Sequence, residues 1–171
     1  MKYIFLSLGI LAAAIGAQAS DEKYSDSVAT LDATIHTLYS VISGDKDVER
    51  NWELFRYLFK PGAHLIPSGK GADGSVGLQM LTPDEYIERS GPFLLANGFH
   101  EQEIGRKTEQ YGVITHVFST YDSRRTLADE KPFARGINSI QLLNDGNRWW
   151  IINVFWMGET EEFPLPDGYI D

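Results

Sequence analysis

The segment Arg148–Met157 is apolar on both of its alternating sides. Trp149, Ile151 and Phe155 fall on one side, with Asn153 the exception, and Trp150, Ile152, Val154 and Trp156 fall on the other. A strand with one wet face alternates apolar with polar residues, so this one needs cover on both faces. Asn144-Asp145-Gly146-Asn147 stands just before it, and an Asp-Gly between two apolar strands signals a hairpin. The chain therefore closes on a buried hairpin of Phe133–Leu143 and Arg148–Met157. Two earlier strands are read at Phe99–Lys107 and Tyr111–Ser123, with residues 124–132 as the loop after them.

Upstream of Gly98 the period changes. Val28, Leu31, Ile35, Leu38 and Ile42 recur at steps of three and four, which predicts a helix from Ser27 with Gly44 as its stop. A second helix is expected from Asp47 to Phe59, ended by Pro61-Gly62, and then a short strand at residues 63–67. Residues 68–77 are glycine-rich and read as a loop or hairpin tip. Thr82-Pro83-Asp84-Glu85 carries a capping box with proline at the first helical position, and that helix should end near Gly91-Pro92, with at most a turn through Leu95. Helices first and a long antiparallel sheet second make an α+β domain. Helices cover one sheet face. For the other we expect a second copy packed sheet to sheet, a homodimer. The alternative cover is the extended arm 159–171, with Pro164 and Pro166, folded back over the sheet.

Residues 1–19 read as a cleavable secretory signal: Lys2 in the first residues, an apolar run Ile4–Ile15, and Ala17-Gln18-Ala19 as the small-x-small cleavage pattern. The run falls short of the ~20 residues that span a bilayer, which disfavours an uncleaved anchor. The mature chain would start at Ser20 and be periplasmic or secreted. It has the size of one ordinary domain and needs no disulfide, and it contains no cysteine. The net charge is −9 before Lys2 is removed. Such a surface repels phosphate backbones and anionic lipids, so neither nucleic acid nor membrane is an expected partner of the mature chain.

Three stretches carry a family likeness: residues 51–66, Asn-Trp-Glu-Leu-Phe-Arg-Tyr-Leu-Phe through Pro61 and Ala63-His64-Leu65-Ile66; His116-Val117-Phe118-Ser119-Thr120-Tyr121; and Gly136 to Ile151, with Asp145-Gly146 and Trp149-Trp150-Ile151 at its end. With the order of elements they resemble the nuclear transport factor 2-like superfamily, in its SnoaL-like, ketosteroid isomerase-like branch. The likeness implies that residues 20–158 form a cone, a curved antiparallel β-sheet wrapped around the N-terminal helices, with a pocket at the open end. The superfamily includes ketosteroid isomerases, polyketide cyclases and scytalone dehydratase beside members that only bind ligands or partners, so the fold alone leaves function open.

Polar residues within apolar strand surroundings are the candidates for chemistry. His116, between Val113-Ile114 and Val117-Phe118, is the candidate general base, since histidine exchanges protons near neutral pH; the alternative is a half-buried strand histidine bonded to backbone. Asn138 interrupts the run Ile137–Leu143 and is the second catalytic candidate, and the resemblance to scytalone dehydratase pairs it with His116. A two-residue turn at Asp145-Gly146 would put Asn138 opposite Asn153 and Arg135 opposite Trp156; a three-residue loop would shift this register and change those pairs. Arg135 is a candidate clamp for a ligand carboxylate, or else a rim residue paired with Asp122 or Glu130. Ser119, Tyr121, His64 and Trp156 complete the candidate ligand contacts. Asp32 and His36, i and i+4 on the first helix, read as a solvated pair. No histidine spacing suits a metal, and no nucleotide loop or Gly-x-Ser-x-Gly elbow occurs, so no metal or cofactor is expected. The reading is an exported domain that holds a small apolar or amphipathic ligand in its cone. The alternatives are an isomerase, dehydratase or cyclase with His116 as base and Asn138 or Arg135 stabilising an enolate-like oxygen, and a partner-binding dimer without a ligand.

Overall fold

The computed structural model describes residues 22–170. The expected signal segment and its cleavage site lie outside them. A 3-10 turn, Ser25–Val28, is followed by α1 (Leu31–Ile42), α2 (Trp52–Leu58), β1 (Phe59–Lys70), β2 (Val76–Leu78), α3 (Pro83–Asn97), β3 (His100–Tyr111), β4 (Ile114–Arg124), β5 (Ala134–Asn144) and β6 (Trp149–Gly158). The six strands form one sheet in the order β2-β1-β6-β5-β4-β3. Its β3–β6 part is an antiparallel meander as expected, but β1 runs parallel to β6, so the sheet is mixed rather than antiparallel throughout.

The helices begin later than periodicity implies, and side-chain caps are the reason. Thr30 takes extended backbone angles and accepts the Ala33 N–H through its hydroxyl, which splits the expected first helix in two. Asn51 caps α2 by accepting from Leu54, so that helix starts at Trp52 and not near Asp47, which itself sits at φ 63°. The capping box at Thr82 and Glu85 forms as read. That helix does not stop at Pro92 but runs to Asn97. Pro92 lacks an N–H to donate, and the burial of Leu94 beneath the turn outweighs that loss.

Pro61-Gly62 does not end α2 either. Both lie inside β1, at the irregularity where its pairing with β6 shifts between Phe59 and His64. Residues 68–77 form the expected hairpin tip, with β2 pairing back on β1.

A bulge explains the two-faced pattern of the final strand. β5 pairs with β6 in one register up to Leu142 opposite Ile151 and in another from Gln141 opposite Asn153, so Ile152 is the extra residue. The inward set is therefore Trp149 and Ile151 before the bulge and Val154 and Trp156 after it. Phe155, which strict alternation groups with Trp149 and Ile151, turns outward and is 41% exposed. The loop also holds residues 145–148, because Asn144 pairs with Trp149. Asn138 consequently faces Trp156, and Asn153 faces Gln141.

The core lies between the concave sheet face and the helices. Ile35 of α1, Phe55 and Leu58 of α2, and Val117, Ile140 and Ile151 of the sheet are fully buried. Phe55 is ringed by Trp52, Phe59 and Tyr86 at centroid distances of 5.6, 4.9 and 5.3 Å. On the convex face the C-terminal arm folds back: Tyr169 packs edge-on against Phe118 at 5.5 Å. This is the alternative cover weighed above for the second sheet face.

Candidate functional site

Between the helices and the concave sheet is a cavity of ≈ 340 Å³. Its walls are mainly apolar, from Leu38, Phe55, Leu65, Leu94 and Val154, and its polar lining includes Tyr39, Tyr86, Glu101, Tyr121 and Asn138. The volume is within the range that holds a small organic ligand.

Strand parity decides which polar groups reach the cavity. On β3 and β4 the pairs Glu101 with Ser123 and Glu103 with Tyr121 face inward. Glu101 accepts a 2.8 Å hydrogen bond from the Ser123 hydroxyl. Packed protein around its carboxyl strips away most water, although the cavity leaves the residue partly accessible. Burial is the main force that pushes the carboxyl up to about 7; the Ser123 bond opposes this, and the charge of Asp122 adds to it. Tyr39, Tyr86 and Tyr121 have phenols raised above the ordinary tyrosine value, first by burial and then by the nearby Glu101 charge. A carboxyl that titrates near neutrality thus stands among three phenols that remain protonated.

Behind this wall runs a chain of hydrogen bonds. Arg106 grips Glu103 through Nε and Nη2, at 2.8 and 2.5 Å, and also bonds Asp32 at 2.5 Å. Asp32 is thereby drawn to Arg106 and not to His36. The Ser119 hydroxyl donates to Glu103 at 2.5 Å, so the Tyr39 hydroxyl, 2.7 Å away, donates to Ser119. Asn138 Nδ2 then donates to Tyr39 at 3.0 Å. The direction of every bond follows from the Glu103 carboxylate, which only accepts. Asn138 keeps its carbonyl oxygen and one amide N–H for the cavity.

Gly136 makes room for Tyr121. A Cβ at this position would lie 2.5 Å from the Tyr121 hydroxyl and 2.4 Å from the Met157 carbonyl oxygen. Gly136→Ala is therefore expected to cost about 2 kcal/mol by overpacking. Denaturant unfolding should show a lower midpoint, with the Tyr121 ring displaced in the aromatic NMR signals; an unchanged midpoint would count against this contact.

Of the sequence candidates, Asn138, Tyr121 and Trp156 line the cavity, and Ser119 lies one bond behind it in the chain from Glu103. His116 is not in the cone. Inward parity on β4 belongs to Val117, Ser119 and Tyr121, so His116 points to the convex face, where Nε2 meets the Ser139 hydroxyl at 2.9 Å. The expected pairing of His116 with Asn138 is thus broken by the sheet between them. His64 also misses the cavity, since Ala63 and Leu65 hold the buried positions on β1. Arg135 pairs with Glu159 at 2.8 Å, not with Asp122 or Glu130. Glu101, Tyr39 and Tyr86 were missed. The usable signal for Glu101 was its phase: it shares a strand face with Phe99, an apolar residue that opens onto the same cavity.

No protein-family model matches this chain, and no curated protein matches it in sequence. Solved structures do. A candidate calcium/calmodulin-dependent protein kinase II association domain from Xanthomonas campestris superposes with TM-score 0.53 at 16% identity, covering 77% of this chain and 86% of that one. A protein of unknown function with a cystatin-like fold from Nostoc punctiforme gives 0.53 at 13% identity, covering 77% and 95%. A candidate ketosteroid isomerase from Parabacteroides distasonis gives 0.50 at 14% identity, covering 76% and 88%. The fold is nuclear transport factor 2-like. Identities this low carry the architecture of the nuclear transport factor 2-like cone and leave its chemistry to the residues that line it. Among the described residues no group of three or more histidine, cysteine, aspartate or glutamate side chains gathers to hold a metal ion.

Proposed function

We propose that the chain is exported and that its cone binds a small apolar or amphipathic molecule bearing one oxygen function. The observation that carries this reading is the largely apolar ≈ 340 Å³ cavity with Glu101, Tyr121 and Asn138 converging on it. An apolar body fills the helix side, and a hydroxyl or carbonyl meets the polar wall. Native mass spectrometry of protein from its own host tests it. The expected spectrum shows a chain lacking residues 1–19 with an added small mass, and shows whether the sheet face pairs two copies. Ser90→Phe, which fills the cavity from α3, should release the added mass. Retention of that mass in the variant would place the ligand elsewhere.

A second reading rests on Glu101 itself. A carboxyl at about 7 inside an apolar cavity is matched to proton abstraction near neutral pH, with Tyr121 or Asn138 donating to the oxygen that gains charge. In this reading Glu101 takes the role that the sequence suggested for His116. Deuterium exchange at the α-carbon of a small cyclic ketone, followed by NMR, should accelerate as pH rises through about 7, where Glu101 loses its proton. Equal exchange rates in Glu101→Gln would exclude it.

A further inference from the structure

The sheet face turned away from the cone carries a second cavity. Pairing lays a row of residues across it: Lys107 is opposite Phe118, Phe118 opposite Ser139, and Ser139 opposite Phe155. Three inter-strand steps make this row about 14 Å long. The C-terminal arm runs back above it and is pinned at both ends. Near β6, Glu159 accepts from Arg135 at 2.8 and 3.1 Å and from the Leu165 N–H at 3.1 Å, while Lys70 meets Glu162 at 2.6 Å. Near β3, the Tyr169 ring leans on Phe118 and its carbonyl crosses directly over Gly105, where no Cβ would fit. Held this way, the arm roofs a space and does not collapse onto the sheet. Between Phe163–Pro166 and the sheet residues Ile137, Phe155 and Met157 lies a cavity of ≈ 380 Å³. Ser139 is on its wall. Past Phe118, a neighbouring depression beneath Tyr169 holds His116 and Lys107.

We propose that this arm-roofed channel binds a medium-chain carboxylate. The hydrocarbon chain lies along Ile137, Phe155 and Met157, and the headgroup lies at Ser139, His116 and Lys107. The row matches the reach of such a molecule from end to end. With its proton on Nε2, His116 donates to Ser139 and leaves the Ser139 hydroxyl hydrogen for the carboxylate. Lys107 supplies the charge. Glu109 stands 4.0 Å from His116 Nδ1 on the other side of the ring and is 88% exposed, so water screens it from the headgroup. The site is separate from the cone and does not depend on what the cone binds.

Calorimetric titration of decanoate into the protein, with decanol as the uncharged counterpart, tests the assignment. Decanoate is expected to bind one to one. Ile137→Trp, which fills the channel from the sheet, and removal of residues 160–171, which takes off the roof, should each weaken it at least tenfold. Lys107→Gln should weaken decanoate severalfold and leave decanol unchanged. Ser90→Phe, which fills the cone, removes any uptake there and should leave the channel's binding of both unchanged. Failure of decanoate to bind, loss of binding in Ser90→Phe, or full binding in Ile137→Trp overturns the site. Decanol binding as tightly as decanoate in Ser90→Phe, where the cone is filled, overturns the headgroup assignment.

Discussion

Glu101→Gln is expected to raise the unfolding free energy by about 2 to 3 kcal/mol above about pH 8, and to change it little below about pH 4. In the folded chain the carboxyl titrates at about 7, against 4.5 for an ordinary glutamate. Between these two values the folded state keeps a proton that the unfolded state has released, so stability falls as pH rises across that window. Above it the full cost of a desolvated carboxylate is present. Glutamine keeps the shape and still accepts the Ser123 hydrogen bond, but it carries no charge to desolvate. Part of the carboxyl reaches water through the cavity, which holds the gain below the full value of the shift. Urea unfolding of both proteins at pH steps from 4 to 9 gives the difference directly. Parallel curves over the whole range would mean that Glu101 is solvated and that neither its proton affinity nor its proposed role stands. A stability gain combined with loss of α-proton exchange would mark a residue kept for function at the expense of the fold.

How much of this was legible beforehand differs between the two faces of the sheet. The four long strands, the capping box and the order of elements follow from period and turn chemistry, which are local. The inward and outward sets are not local. One bulge at Ile152 reverses the parity of everything after it, so the grouping of Phe155 with Trp149 and Ile151 fails while both residue types look right. The four-residue loop after Asn144 and the bulge at Ile152 together move Asn138 from Asn153 to Trp156, two positions from the loop and one from the bulge. Register decides the site, and register is set by backbone irregularities that leave no side-chain signature.

The missed carboxyl has a related cause. Glu101 and Glu103 share a strand with Gln102, Arg106 and Lys107, and such a segment reads as a solvated edge. The strand is indeed at the sheet edge. Its inner face is nevertheless closed by α1, because Arg106 reaches Asp32 and Ser119 reaches both Glu103 and Tyr39. Charge on an edge strand is therefore no mark of solvation where a helix packs over it. His116 went in the opposite direction: apolar neighbours on both sides marked it as enclosed, but it lies on the far face beside Ser139 and Phe118 with its side chain 32% exposed.

Arg50→Ala is expected to cost on the order of 4 kcal/mol, with Arg50→Lys recovering only a small part. The guanidinium is 7% exposed and donates to five backbone carbonyls: Ile42 at 3.0 Å, Asp45 at 3.2 Å, Gly44 at 2.7 Å, Leu94 at 3.2 Å and Val48. These belong to the end of α1, the turn that follows it and the last turns of α3, where the Asp47 N–H also donates to the Leu95 carbonyl at 2.7 Å. Removing the side chain takes this donor from the buried bonds to Ile42 and Leu94, while Gly44 and Asp45 keep bonds from the Phe99 and Val48 amides; each buried carbonyl left unpaired costs about 1 to 3 kcal/mol unless water enters. Lysine offers three donors on a point charge and cannot reproduce a planar fork aimed at three segments. The loss should extend to the cone. Gly44 and Phe99 exchange hydrogen bonds of 2.7 and 3.0 Å, a bridge that sets where β3 begins and so fixes Glu101 two residues later. Hydrogen exchange should show the Phe99 amide losing protection more than amides on β5, whose ladder does not rest on Arg50. If Arg50→Ala stays within about 1 kcal/mol of the parent, or if Phe99 and β5 lose protection equally, the guanidinium is not the joint that holds helices and strand in place.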